Sequence, residues 1–413
     1  MLPFSRIAST LESLEWDIDK EAKVERIAEF ILSVDALQIV PSVRLLHGEV
    51  FAPWEPVEMR TGDATVLQAL AGIAGEEELD EIRSRNDDLA IVAEEALKRK
   101  AQSPLNEGSL DAAVVYNEFR KIAMQEGERA TFRKEAILRG LFLEASSLEG
   151  KYIARIALRR PRQRKSTSIM AEAVSKAFGL DHGKVKNAYC MLPDIALVAE
   201  NAALSRLEEI RIRPGIPYLQ MMIQKRDEGR LPAHDGDESE LVIRSYGGLR
   251  VQLHSDGSRI HIFTSKLRDI SPFLPGIEKE AMALGRRFIA DCELLCYKGD
   301  KLSKTELVRF LNRRDGVKKA SVKFELAVYD LILLDGDDLT GRPFSLRRRL
   351  SGFIHERMHT EDLRDGIFLS ASMDADEYAA YDESCRIVRD PSGLYIPGRI
   401  SRTDRLICGN PSS

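Results

Sequence analysis

Through the first two hundred residues apolar side chains recur at three- and four-residue intervals, whereas beyond about Pro214 they alternate with polar ones. The first rhythm belongs to helices with one buried face, the second to half-buried strands. Val24, Ile27, Ala28 and Ile31 mark one such helix, and further periodic segments cover 66–73, 89–97, 111–124, 131–143, 169–178 and 193–203. Ser9-Thr10-Leu11-Glu12 reads as a capping box opening a helix. No repeat of fixed period emerges, which disfavours a solenoid.

In the second half, residues 241–267 alternate around Asp256-Gly257, a hairpin signal in which Val251 and Leu253 answer Ile260 and Ile262. Residues 288–297 and 324–334 are two more strand-like runs, with a helical segment at 304–313 between them. The expected fold is therefore multi-domain. An all-α N-terminal domain spans 1–205, and an α+β domain with a mainly antiparallel sheet spans 206–413. A chain of 413 residues has room for two or three cores of ordinary size.

Composition narrows the class. With 44% apolar and 31% charged residues the chain is unlike a disordered, collagenous or membrane-embedded protein. The longest nearly apolar stretch, 324–334, contains Glu325 and Asp330 and falls far short of a bilayer span. Residues 1–10 lack the charged start and apolar run of a secretory signal. Five scattered cysteines without a CxxC pair argue against a disulfide framework or a structural zinc site, and a cytoplasmic location is expected.

Charge changes the picture more. The net charge is −5, yet residues 1–120 carry 12 Lys/Arg against 24 Asp/Glu, and residues 121–190 carry 15 against 7. The basic excess peaks at 151–165, KYIARIALRRPRQRK, which has seven cations and no acid. One reading is a solvated helix end. The other is a phosphate-binding loop around Pro161 that presents Arg159, Arg160, Arg162, Arg164 and Lys165 and meets Ser166 at the start of a helix.

Particular segments add a resemblance. In the second half stand Tyr246-Gly247-Gly248-Leu249-Arg250, Phe288-Ile289-Ala290-Asp291-Cys292-Glu293, Tyr329-Asp330-Leu331-Ile332-Leu333-Leu334-Asp335-Gly336 and Asp390-Pro391-Ser392-Gly393-Leu394-Tyr395-Ile396-Pro397-Gly398. In the first half stand Phe51-Ala52-Pro53-Trp54-Glu55, Leu148-Glu149-Gly150-Lys151-Tyr152 and Asp194-Ile195-Ala196-Leu197-Val198-Ala199-Glu200. In this order, over roughly residues 1–407, the chain resembles the ATP-dependent DNA ligases of archaeal type. The late segments are similar to that family's KYDGxR nucleophile motif, its DGE strand, its FDLLYLDG signature and the stretch after its EGxxxK motif. The early ones are similar to its DNA-binding domain.

The resemblance implies a lysine that attacks the α-phosphorus of ATP beside a metal ion, then passes AMP to a DNA 5′-phosphate. Against that pattern, Ser245 occupies the lysine position, Gly247 the aspartate and Ile243 the place of an adenine-selecting glutamate. No lysine lies between Lys225 and Lys266, so a slip of one or two residues does not restore the nucleophile. Ser384-Cys385 fall on the glutamate-glycine of EGxxxK and Arg389 on its lysine, with Glu383 one position out of phase. No lysine follows Lys323; Arg399, Arg402 and Arg405 are the cations near the last motif, and the family's OB-fold domain is expected to be absent. Arg250, Asp291, Glu293 and Tyr329 fall where the family lines its nucleotide pocket, either as a remnant of that pocket or as supports of the fold.

The resulting expectation is a ligase-like protein that does not adenylylate itself, binds nicked or duplex DNA as a repair or replication accessory near the nucleoid, and requires neither ATP nor magnesium. Two alternatives stand beside it: a divergent ligase or nucleotidyltransferase completed by a partner chain, and a non-catalytic subunit of a larger complex. A sliding clamp is a weaker partner, because Gln102-Ser103-Pro104-Leu105-Asn106 lacks the aromatic anchor of a QxxLF peptide. No membrane partner is expected.

Overall fold

Caps and apolar stripes carve the first half into helices. The computed structural model describes residues 2–16, 19–99, 110–160, 166–226, 241–312, 322–357, 366–369, 372–373, 385–389, 395–398 and 400–408. They group into two compact units, one of Met1–Tyr189 with Asp194–Ile210, the other of Cys190–Pro193 with Arg211–Ser413. Among the described residues no single helix is long and apolar enough to cross a membrane.

The helices are α1 (Phe4–Trp16), α2 (Lys20–Leu32), α3 (Ile39–His47), α4 (Asp63–Ala74), α5 (Glu76–Arg85), α6 (Leu89–Lys98), α7 (Ala112–Ala123), α8 (Ala130–Glu144), α9 (Ser147–Leu158), α10 (Thr167–Phe178), α11 (His182–Met191) and α12 (Ile195–Ala203). Side chains of Asp19, Asp88, Asp111, Ser146, Ser166 and Asp194 accept from backbone amides at helix starts, satisfying donors the helix itself cannot. The expected capping box at Ser9–Glu12 is not formed. Ser9 and Thr10 lie inside α1, where the Thr10 hydroxyl donates to the Arg6 carbonyl at 2.8 Å. The box is instead Ser146 with Glu149, at the start of α9.

Helix α9 is the buried axis of this unit, with every residue from Glu149 to Ala157 buried. It packs on α6 so closely that a Cβ at Gly150 would collide with Leu97. Further pairs are α2 with α10, α4 with α8 and α3 with α12. A polar knot ties distant segments together. Arg44 donates to Asp194 at 3.1 Å and to the Tyr116 hydroxyl at 2.8 Å, and Arg120 donates to Glu55 at 2.7 Å. Burial alone would raise the Glu55 pKa, but Arg120, the Ala52 amide and Arg44 hold it below the usual carboxylate range.

The second unit holds two sheets. Its strands are β1 (Met222–Arg226), β2 (Leu241–Arg244), β3 (Leu249–Ser255), β4 (Ile260–Thr264), β5 (Phe288–Lys298), β6 (Asp300–Lys301), β7 (Lys323–Leu334), β8 (Asp337–Asp338), β9 (Gly366–Leu369), β10 (Ser372–Met373), β11 (Cys385–Arg389) and β12 (Ile400–Cys408). One sheet runs β4-β3-β5-β7-β8 with β6 on β5 and β9 on β7; the other runs β1-β12-β11-β2-β10. Pairing is antiparallel except for β1 with β12 and β7 with β9. The alternation over 241–267 thus divides between sheets, since β2 belongs to the second and the β3–β4 hairpin to the first. Gly257, at φ 90°, makes the hairpin turn and sets Leu253 opposite Ile262. Cys385 stands opposite Cys408 in the β11–β12 register, although the two are far apart in sequence.

Residues 251, 253, 292, 294 and 326 point to one face of the first sheet. There they pack with Ile277 of α13 (Pro275–Ala283), Leu307 and Leu311 of α14 (Lys304–Asn312), and Ile354, which lies beyond α15 (Phe344–Leu350). Each such side chain, fully buried, contributes roughly 1.5–3 kcal/mol. On the opposite face Ile289 and Ile332 meet Ile212, Tyr218, Met221 and Tyr395. With both faces covered, β5 is buried from Phe288 through Cys296, and the two carboxylates within that stretch, Asp291 and Glu293, are buried with it.

Candidate functional site

Alternation along β3 sends Val251 and Leu253 into the core and leaves Arg250, Gln252 and His254 for the other face. The register sets Arg250 opposite Glu293 and Gln252 opposite Asp291 on β5. The ion pair nevertheless forms diagonally: Arg250 Nε donates to Asp291 Oδ1 at 3.0 Å while an Nη donates to Oδ2. Asp291 has no solvent exposure and also accepts from Gln220 Nε2 at 2.6 Å. Burial would lower the Arg250 pKa, but Asp291 keeps it above its ordinary value. Behind this pair, Gln252 bridges the Tyr218 amide at 3.1 Å and the Tyr218 carbonyl at 2.7 Å. Its Oε1 lies 3.1 Å from His254 Nε2, and burial pushes the His254 pKa down to about 3, so the ring is neutral.

Glu293, although it faces Arg250 across the register, does not pair with it. Its Oε2 accepts from the Tyr246 amide at 2.8 Å, from the Tyr329 hydroxyl and from Ser245 Oγ at 3.4 Å, while Oε1 accepts from the Gly248 amide at 2.5 Å. Tyr329 reaches it because β7 is irregular there. Cys292 pairs with Val328 and Asp291 with Asp330, which leaves Tyr329 outside the ladder. Burial, then Glu293, pushes the Tyr329 phenol well above its ordinary pKa. The turn itself requires glycine at 248, where a Cβ would meet the Leu294 carbonyl, Leu295 Cδ2 at 2.6 Å and Glu293 Cγ at 3.0 Å. From the outer side, Lys301 Nζ donates to the Tyr246 carbonyl at 3.0 Å.

Ser245, Arg250, Asp291, Glu293 and Tyr329 are therefore brought together as one hydrogen-bonded cluster. A carboxylate does stand beside the Ser245 hydroxyl, which the sequence did not reveal, but its oxygens are already engaged by three other donors, the Tyr246 and Gly248 amides and the Tyr329 hydroxyl. Among the described residues no three His, Cys, Asp or Glu side chains converge to hold a metal ion. The two carboxylates here are taken up by Arg250 and by the turn, so this donor set does not fit the cation that the resemblance implies. Glu383 and Ser384 lie outside the described residues. Gln220 and Tyr218, which with Tyr395 complete the cluster's far side, sit in no segment whose spacing announces them, and Tyr395 lies in the segment 390–398 without having been singled out.

The basic run resolves into two parts. Lys151 and Arg155, on α9, are buried: Lys151 pairs with Glu12 and lies 3.7 Å from Glu15, and Arg155 pairs with Glu15 at 3.3 Å and Asp88 at 3.1 Å. These two cations hold the helix in place rather than face a ligand. Arg159 and Arg160 are exposed at the helix end, where Arg160 lies 3.1 Å from Asp63. Arg159 adopts the left-handed conformation, φ 52° and ψ 37°. The amides of Arg159 and Arg160 close back onto Ile156 and Arg155 as in a helix terminus that normally ends on glycine. Ser166 caps α10 by accepting from the Ile169 amide at 3.3 Å. Arg162, Arg164 and Lys165 lie outside the described residues, as does 102–106.

Two family descriptions match successive parts of the chain: "DNA ligase N terminus" over residues 3–164 and "ATP dependent DNA ligase domain" over 238–402. The chain is 30% identical over 371 residues to a DNA ligase of Pyrobaculum neutrophilum, covering 86% of this chain and 63% of that one. It is 31% identical over 370 residues to a DNA ligase of Methanopyrus kandleri, covering 86% and 66%. It thus spans less than two thirds of the length of either relative. Among solved structures it is similar to the ligase domain of M. tuberculosis LigD, with 16% identity, a TM-score of 0.35, and 45% and 58% of the two chains covered.

Proposed function

The chain belongs to the ATP-dependent DNA ligase family, and from that premise we propose that it is a DNA-binding relative that does not form the covalent nucleotide intermediate and acts at nicked or duplex DNA as an accessory to repair or replication. The observation that carries the first half is the cluster around Ser245. A lysine ε-amine is needed to make a nitrogen–phosphorus bond, and the residue at its place is a serine, 7% exposed, whose hydroxyl points to a carboxylate already engaged by two backbone amides and a phenol. With Asp291 and Glu293 both engaged, no carboxylate in this cluster is left to hold a magnesium ion against a triphosphate.

Support for the second half comes from α9. Lys151 and Arg155 are neutralised inside the unit, so the exposed cations are concentrated at its C-terminal end, beside the capped start of α10. Keeping an arginine at φ 52°, where glycine is unstrained, is a cost that a phosphate contact would explain.

The test is direct. Purified protein incubated with α-labelled ATP and magnesium should carry no covalent AMP, and it should bind a nicked duplex with a steep log–log dependence on salt. Covalent label on the protein would refute the first half. Absence of binding to nicked and intact duplex alike would refute the second.

A further inference from the structure

We propose that Glu293 is a latch that holds the turn 245–248 shut without any ligand, so that the protein's own hydrogen bonds fill the space a nucleotide would need to organise. This rests on the preceding reading and carries it further: that reading removes the covalent step, and the latch removes the reason for a nucleotide to bind at all.

The argument is one of satisfied groups. An ionised carboxylate offers about four acceptor sites. Glu293 has four donors: the Tyr246 and Gly248 amides, the Tyr329 hydroxyl and the Ser245 hydroxyl. Glu293, Tyr329 and Ser245 are 6%, 4% and 7% exposed, so water cannot readily replace a partner that leaves. The turn is also gripped from outside, where Lys301 donates to the carbonyl of the same Tyr246 whose amide Glu293 binds. Gly248 seats the chain against β5 with no space for even a methyl group. A ligand entering here has to take bonds from a buried, saturated carboxylate. Tyr329 matters most among the side chains, since the break in the β7 ladder leaves it outside the register and its hydroxyl donates to Glu293.

Amide hydrogen exchange on the full chain tests the latch without DNA or covalent nucleotide. The peptide covering Tyr246–Gly248 is followed in the wild type, Tyr329→Phe and Glu293→Gln, with and without millimolar ATP and magnesium. The α9 peptide serves as the control for folding. The wild type should protect the turn equally with and without ATP. Tyr329→Phe should speed its exchange at least tenfold, and Glu293→Gln further, with α9 unchanged; if Glu293→Gln does not fold, Tyr329→Phe alone decides. Unchanged exchange in Tyr329→Phe, or added protection of the wild-type turn by ATP, would overturn the latch. Either failure leaves the covalent test of the preceding subsection unaffected, and covalent label with an intact latch would sink that reading instead.

Discussion

Arg159 offers the sharpest perturbation, because two substitutions that should weaken binding alike should differ in stability there. The left-handed conformation costs a non-glycine residue roughly 1–2 kcal/mol, and Arg159 holds it at φ 52° and ψ 37°. Two variants separate the backbone from the charge. Arg159→Ala and Arg159→Gly both lose the guanidinium, including its favourable place at a helix C-terminus, but only glycine relieves the strain. Glycine also gains freedom in the unfolded chain, an offset of about 0.5–1 kcal/mol. The net expectation is that Arg159→Gly is more stable than Arg159→Ala by about 0.5–1 kcal/mol. Both tryptophans, Trp16 and Trp54, belong to the helical unit, so urea denaturation followed by their fluorescence reads that unit. In parallel, both variants should bind nicked DNA more weakly than the wild type, with a log–log salt slope flatter by about one. Equal stabilities would refute the strain argument. An unchanged slope would show that the strained arginine meets no phosphate.

Other consequences follow from the sheet unit. Arg250→Met strips the guanidinium from a carboxylate with no solvent exposure and should destabilise the unit by about 3–5 kcal/mol, seen as a lower calorimetric transition. Gly248→Ala, which forces a Cβ against Leu295 Cδ2 at 2.6 Å, should cost more than Gly247→Ala, where φ is 68° but nothing stands within 4 Å; hydrogen exchange across β3 and β5 ranks the two, and equal costs would refute the packing argument. His261 Nδ1–H donates to the Asp269 carboxylate at 2.9 Å, and that hydrogen bond raises its pKa above 6.5. Its contribution is therefore complete below pH 6.5 and lost as pH rises through the folded value, so His261→Gln should flatten the stability profile between pH 6 and 8; identical profiles would exclude the pair as the cause.

Much of the architecture was legible because periodicity and capping are local. Expected helices at 66–73, 89–97 and 169–178 fall within α4, α6 and α10, and Asp111 is the cap of the segment it opened. Helices α3, α5, α11, α13 and α15 lie outside the expected segments; α5, for one, is charged through most of its length and buries only Leu79 and Ile82. Ser9–Glu12 and Ser146–Glu149 carry the same S/T-x-x-E spelling, and only the second is a cap. The difference lies upstream, where Phe4, Ile7 and Ala8 already belong to the buried stripe of α1 and carry the helix past Ser9. In the basic run, composition could not separate Lys151 and Arg155 from the rest, since their partners Glu12, Glu15 and Asp88 lie more than sixty residues away.

The site shows the same division more severely. That Arg250, Asp291, Glu293 and Tyr329 share a neighbourhood follows from strand spacing, but who bonds to whom does not. Straight across the register Arg250 faces Glu293. The diagonal partner wins because Asp291 presents both oxygens to the guanidinium fork, and this leaves the longer Glu293 side chain to reach the turn at Tyr246 and Gly248. That reach in turn gives a role to the Tyr329 hydroxyl, which enters only through a break in the β7 ladder that alternation does not encode. That a serine stands at 245, the place the resemblance gives to a lysine, is visible in one letter of sequence. The arrangement around it, in which a carboxylate binds its own loop, is a property of the packed sheet and becomes readable only there.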